Sequence, residues 1–190
     1  MTDLLQEYVS YSPTDAQVAW MQGTLDIPAD IFFSGATLCG VGKVAFDGGT
    51  FVPDTQRGAP SIIAPCGFRG PNRLGWQTVD DMVAFRPSSP NDWACRSRLC
   101  PILGEESVEV ARWNRIPLLL HSNPLDWLRA GGQGAVILNW HRSPRLWLSD
   151  VSVIICDTVA LGRRLSDALR QASLATPEIR ISREVHRAVA

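Results

Sequence analysis

The clearest hydrophobic patterning runs from Ile116 to Ala172 and predicts strand, helix, strand, strand, helix. Leu118 to Leu120 is an apolar triplet read as a strand. Asn123 then suits a helix cap and Pro124 the first helical position, where its missing N–H costs nothing. Gly131 and Gly132 end that helix, because the left-handed conformation required there strains any residue with a Cβ. Ala135 to Leu138 and Val151 to Cys156 are continuous apolar runs, the pattern of strands covered on both faces. From Thr158 to Ala172 the residues Val159, Leu161, Leu165, Ala168 and Leu169 share one helical stripe, with Asp157 as the expected cap and Arg163, Arg164 and Arg170 off the stripe. The expected fold class is therefore α/β (or α+β): a single domain whose buried core sheet comes mainly from the C-terminal half, with an N-terminal helix plus β-hairpin region beside it.

Upstream the pattern is shorter-ranged. Asp3 to Val9 predicts a short helix, and Thr14 with Gln17 reads as a capping box opening a second one that runs to about Gln22, just before Gly23. Val18, Trp20 and Met21 supply its apolar contacts, and Ile27 to Asp30 is read as a linker. The expected division is a helical segment over 1–30 and an α/β domain over 31–190, with 31–64 as a β-hairpin subregion. Leu38 to Phe46 and Thr50 to Val52 flank Asp47-Gly48-Gly49, a hairpin signal because such turns need positive φ. Ser61 to Ala64 and Val79 to Phe85 are further strands. Gly40-Val41-Gly42-Lys43 has the look of a phosphate loop, but Thr37 and Val44 stand where that motif needs glycine and a hydroxyl, so glycines in a twisted hairpin are the reading.

Pro65 to Gly75, with Arg69 and Arg73, is the most irregular stretch and is read either as a binding loop or as a plain connector. The pair Asp80-Asp81 could hold a metal, but neighbours on a strand point to opposite faces, so a solvated strand start is expected. Ser89-Pro90-Asn91-Asp92 predicts a helix start, and that helix would carry Trp93, Arg96, Arg98, Leu99 and Cys100. Glu105 to Val110 is a short helix or strand. After Pro177, Glu178 to Ile181 predicts an edge strand and Ser182 to Val189 a terminal helix.

Composition changes this picture in three ways. With 45% hydrophobic residues and seven Trp among 190, the chain can bury a real core. The net charge of −1 hides an asymmetry: residues 1–60 carry −5, residues 61–140 carry +1 and residues 141–190 carry +3, and all basic residues except Lys43 are Arg. Arg grips phosphate and carboxylate bidentately, which suits nucleic acid, although a GC-rich genome would also write Arg for Lys. Five Cys without a CxxC pair and three separate His (121, 141 and 186) do not outline a zinc site, so free thiols in a reducing compartment are expected. No apolar run is long enough to span a bilayer and the N-terminus has no signal-peptide pattern, so the expected location is cytoplasmic.

Catalytic chemistry is sparsely supplied. There is no Gly-x-Ser-x-Gly elbow, Cys66 and Cys156 would need a nearby His to act as nucleophiles, and His121 stands alone at a strand end. The order of strand, Leu118-Leu119-Leu120-His121-Ser122-Asn123-Pro124-Leu125-Asp126-Trp127-Leu128, strand Ala135 to Leu138, strand Val153-Ile154-Ile155-Cys156-Asp157 and helix resembles a Toprim (topoisomerase–primase) domain over under a third of the chain. That family has Glu-Gly after its first strand, an Asp a few residues on, and Asp-x-Asp ending a later strand. The resemblance sets Asp126 on the downstream Asp and Asp157 on one Asp of the pair, with Ser122 and Asn123 in place of Glu-Gly and Ile155 or Val159 in place of the other Asp. It implies the shape with a degenerate site, since the acids that would give magnesium its octahedral oxygen ligands are mostly missing. Asp81-Met82-Val83-Ala84-Phe85-Arg86-Pro87 and Asn123 to Gly131 are also similar to small primase-like proteins of bacterial prophages and plasmids.

The resulting expectation is a non-catalytic, replication-associated accessory protein of a mobile element. It would touch DNA or a primase or helicase partner through Arg96, Arg98, Arg163 and Arg164, without cofactor, metal or membrane. Two alternatives stand beside it. One is a protein-interaction adaptor without nucleic-acid contact, and the other a small enzyme with a pocket near His121, Asn123, Asp126 and Asp157.

Overall fold

The computed structural model describes residues 3–33, 38–67 and 78–174. Helix α1 (Leu4–Val9) begins where the Asp3 side chain accepts from the amides of Leu5 and Gln6. Helix α2 (Asp15–Leu25) begins with the expected capping box of Thr14 and Gln17. Gly23 does not stop α2, which runs to Leu25 and closes on Asp26 in the left-handed conformation. One further turn, α3 (Asp30–Phe33), starts at the end of the segment expected to be a linker.

Five strands then close into a barrel: β1 (Gly40–Asp47), β2 (Thr50–Pro53), β3 (Ala59–Cys66), β4 (Asp81–Arg86) and β5 (Ser89–Cys95), in the order β1-β2-β5-β4-β3. Neighbours are antiparallel except β2 and β5, which run parallel and share a single pair, Thr50 with Cys95. The β1–β2 turn is the predicted one, with Gly48 at φ 51° and Gly49 at φ 88°. Lys43 lies within β1, as the hairpin reading requires. Val44, Phe51, Ile63, Met82, Ala84 and Ala94 come from all five strands into one buried cluster, closed by Tyr8 and Tyr11. The other face of β3, β4 and β5 (Ile62, Ala64, Val83, Phe85, Cys95) packs on Met21 and Leu25 of α2 and on Leu125, Trp127 and Leu128 from the C-terminal half. With both faces covered, β3 and β4 read as near-continuous apolar runs.

The rest of the chain gives β6 (Ile102–Leu103), α4 (Glu105–Asn114), β7 (Leu118–Leu120), α5 (Pro124–Arg129), β8 (Val136–Ile137), α6 (Arg145–Leu148), β9 (Ile154–Cys156) and α7 (Val159–Leu174). Strands β7 and β9 pair in parallel, β6 and β8 antiparallel, and a parallel bridge from Leu120 to Ala135 links the two pairs. Leu161 and Leu165 of α7 pack on Leu118, Leu120 and Ile137 beneath them.

Helix and sheet are mixed in one α/β fold as expected, but the largest sheet lies in 40–95 and the C-terminal strands are only two or three residues long. Two local readings are corrected. Ser89 to Cys95 is a strand, because β4 offers a paired edge (Phe85 to Trp93, Ala84 to Ala94, Val83 to Cys95) that outweighs the helix-start chemistry of Ser-Pro-Asn-Asp. The run Val151 to Cys156 is not covered on both faces: in β9 Ile155, the direct partner of Leu119 in β7, is 49% exposed. Among the described residues no helix is long and apolar enough to cross a membrane. The predicted elements after Pro177, and residues 68–77 with Arg69 and Arg73, lie outside the described residues.

Candidate nucleic-acid interface

The residues expected to share one pocket separate into two groups. Asn123 is buried and caps α5: its Oδ1 accepts from the Asp126 amide at 3.0 Å and its Nδ2 donates to Asp126 Oδ2 at 2.7 Å. Arg129 Nη1 donates to Asp126 Oδ1 at 3.2 Å, so the Asp126 carboxylate is held within its own helix. His121 and Asp157 meet at the C-terminal ends of β7 and β9. There Asp157 accepts the Ser122 amide at 2.7 Å and the Ser122 hydroxyl at 2.6 Å, and Ser122 Oγ lies 3.0 Å from Thr158 Oγ1.

This second cluster is a hydrogen-bond network centred on Asp157. His121 Nδ1 is 4.0 Å from Asp157 Oδ2, and its Nε2 is 3.0 Å from the Gln133 carbonyl. Ser122 donates to the Asp157 carboxylate rather than to the imidazole, whose Nε2 is engaged with main chain. The network ties β7 to β9. Thr158 rather than Asp157 caps α7, accepting from the Leu161 amide at 3.2 Å. The cavities described below are lined by other side chains.

The four arginines also separate. Arg96 is spent on Glu7, with Nε 2.8 Å from Oε1 and both side chains largely covered, so it fastens the loop after β5 to α1 and is no longer a surface contact. Arg163 is exposed on α7 but lines none of these cavities. Arg98 and Arg164, distant in sequence, are brought to one groove. Its larger part, about 580 Å³, lies between β5, residues 138–141 and α7, and is lined by Asn91, Trp93, Asn139, Trp140, His141 and Arg164. Trp93, Leu138, Asn139 and His141 carry it into a smaller pocket of about 270 Å³ walled by Gly48, Gly49, Cys95, Arg98 and Cys100.

The aromatic side chains of the groove are held by contacts, and several of its polar side chains are exposed. Trp93 Nε1 donates to the Leu138 carbonyl at 3.3 Å, and the Arg164 guanidinium lies 4.1 Å over the Trp140 ring. Asn139 Oδ1 accepts from the His141 amide at 3.0 Å. The side chains of Asn91, Arg98 and His141 make no hydrogen bond among the described residues. The acid on the rim, Asp167, faces Arg170 at 3.6 Å.

Arg98 is delivered by a built device. Asp81, expected to be solvated, is fully buried: its Oδ1 accepts from Met82 and Ser97 at 2.8 Å each, and its Oδ2 from Leu99 at 2.9 Å and Cys100 at 3.3 Å. It starts β4 on the outward face that the 96–100 loop covers, while its neighbour Asp80 stays exposed. Amides on both sides of Arg98 are thereby fixed, and Arg98 itself takes φ 60°, a conformation non-glycine residues hold only when their surroundings enforce it. Opposite it, a Cβ on Gly49 would sit 3.0 Å from Arg98 Nη2, so this glycine both makes the turn and leaves the guanidinium room.

The thiols beneath are inert. Burial, with smaller contributions from Asp81 and Cys100, pushes the Cys95 thiol up to about 12 against the opposing Arg98 charge. The hydrogen bond to Cys100, with burial, holds the Cys66 thiol well above its usual range. Such groups are neutral at physiological pH and are not nucleophiles. A further cavity of about 520 Å³ beside α4 is lined by Glu105, Glu106, Glu109 and Trp127, and its acids would repel a phosphate.

Sequence reasoning found Arg98 and Arg164 but missed Trp140, Asn139, His141 and the wall made by Gly48 and Gly49. No sequence spacing joins these segments. Comparison of the chain with protein-family models, with curated proteins and with solved structures finds no match.

Proposed function

We propose that this chain is a non-catalytic accessory protein that holds single-stranded nucleic acid in the groove between the barrel and α7. The observation that carries the reading is the convergence of Arg98 and Arg164 on a groove lined by Trp93 and Trp140 and by Asn91 and His141, whose side chains make no hydrogen bond among the described residues. Cationic side chains take phosphates, aromatic faces take bases, and free amide and imidazole groups add polar contacts. The groove suits a strand whose bases are splayed out better than a duplex, which needs an exposed helix or ribbon to enter the major groove. The resemblance of Asp81 to Pro87 and Asn123 to Gly131 to primase-like proteins supports replication of a mobile element as the setting.

The test is fluorescence anisotropy with labelled single- and double-stranded oligonucleotides at two salt concentrations. Single strands are expected to bind more tightly, to weaken steeply with salt, and to lose about tenfold in affinity on Arg164→Ala. Arg96→Ala is expected to change stability rather than affinity, since Arg96 serves Glu7. Absence of binding at low salt would overturn the reading. It would turn attention to a protein-interaction adaptor, favoured by the outward apolar face of β7 and β9, where Leu119, Val153 and Ile155 are exposed.

A further inference from the structure

The groove is unequal along its length, and the inequality has a chemical meaning. The wide part has the two indoles, the Asn side chains and Arg164. Among the described residues lining it, the narrow part has no aromatic face beyond Trp93, which it shares with the wide part, and it ends at the β1–β2 turn beside Arg98. At about 270 Å³ it is smaller than the roughly 300 Å³ at which pockets for drug-sized ligands begin, so it admits a phosphate with its sugar but not a stacked base as well.

We infer that the pocket under Arg98 is a subsite for the terminal phosphate monoester of a single strand whose bases lie in the wider groove; this rests on the nucleic-acid reading above. Three features point to a monoester rather than one diester in a passing backbone. A monoester carries about −1.5 to −2 charge and three terminal oxygens, against a single charge for a diester, and so rewards a fixed fork of donors. Arg98 offers such a fork from a fixed backbone: its loop is clamped by buried Asp81 through the amides of Ser97, Leu99 and Cys100, and its guanidinium has no hydrogen-bond partner among the described residues. Finally, a tracked backbone needs a row of cations, whereas among the described residues lining this pocket Arg98 is the one arginine or lysine. The missing side chains of Gly48 and Gly49 keep the turn clear of the Arg98 guanidinium, and the Cys95 thiol, held protonated by burial, presents no charge against an anion.

The experiment uses the full chain and one short oligonucleotide in four forms: 5′-phosphorylated, 3′-phosphorylated, hydroxyl at both ends, and circularised. Direct binding is read by the quenching of intrinsic Trp fluorescence. One phosphorylated form is expected to bind about tenfold more tightly than the hydroxyl and circular forms, and which one identifies the strand end. Arg98→Gly, which keeps the positive φ at no steric cost, is expected to abolish that advantage, so that the phosphorylated form loses far more affinity than the hydroxyl form. Arg98→Lys, retaining charge without the fork, should keep only a small part of it. Equal affinity for all four forms would overturn the subsite and leave the groove reading standing. No binding of any form would overturn both. Competition by a nucleoside monophosphate as strong as by the phosphorylated strand would overturn the assignment to a strand end and make the ligand a free nucleotide.

Discussion

Replacing Asp81 with Asn removes one oxygen and almost nothing else, so its effect can be worked from four contacts. The carboxylate serves Met82 and Ser97 through one oxygen and Leu99 and Cys100 through the other, with no exposed surface. An amide can satisfy only one of these pairs and turns an NH₂ donor on the other, which is itself a pair of donors. Two buried amides without partners cost about 1–3 kcal/mol each, and some relaxation of the 96–100 loop brings the total to roughly 3 kcal/mol. For a chain of this length that corresponds to a fall in Tm of roughly 6–12 °C. Calorimetry of Asp81→Asn checks the magnitude, and hydrogen exchange at Leu99 and Cys100 checks the location. The control is Asp80→Asn at the exposed neighbour, expected within about 0.5 kcal/mol of the parent. A variant melting within about 2 °C of the parent, with those amides still protected, would refute the claim that Asp81 holds the loop.

Two further outcomes are expected. Asn123→Ala should destabilise the chain by about 1–2 kcal/mol in urea titration with unchanged slope, since it removes the α5 cap and leaves Asp126 Oδ2 without its donor. Stability should also fall in alkali. Burial lifts the Cys39 and Cys95 thiols from 9.0 to about 12, so they stay protonated in the native state after the unfolded chain has released those protons. Their stabilising contribution is complete below about pH 9 and is lost as pH rises toward 12. Denaturant midpoints at several pH values under reducing conditions would show this, and a flat profile across that window would contradict it.

Sequence legibility tracked the range of the interaction concerned. The Thr14–Gln17 box, the Asn123–Pro124 helix start and the Gly48–Gly49 turn are local, with cause and effect within four residues, and all are found where the residues predict. Ser89 to Cys95 was misread because its local chemistry favours a helix start, and the pairing with β4 that overrides it depends on the antiparallel register. Asp81 was misread for a similar reason: its partners are amides at 97, 99 and 100, and a strand pattern carries no sign of a loop folding back over it. The groove was legible only in its two arginines. Its walls come from a turn near residue 48, a strand near 93, a segment near 139 and a helix near 164, brought together by barrel closure and by the packing of the C-terminal half against the barrel.

That closure has a mechanical consequence. The barrel's join between β2 and β5 is one residue pair, Thr50 with Cys95, supported by the Cys95 amide on the Gly49 carbonyl at 3.1 Å, whereas the other joins are ladders of four or five pairs. It is the seam along which the molecule would open first, and the groove straddles it, with Gly48 and Gly49 on one bank and Trp93, Cys95 and Arg98 on the other. A ligand touching both banks acts as a stitch: it adds its own binding energy to the weakest join and slows the opening of the barrel. Binding here and the integrity of the barrel are thus one equilibrium, and tightening either tightens the other.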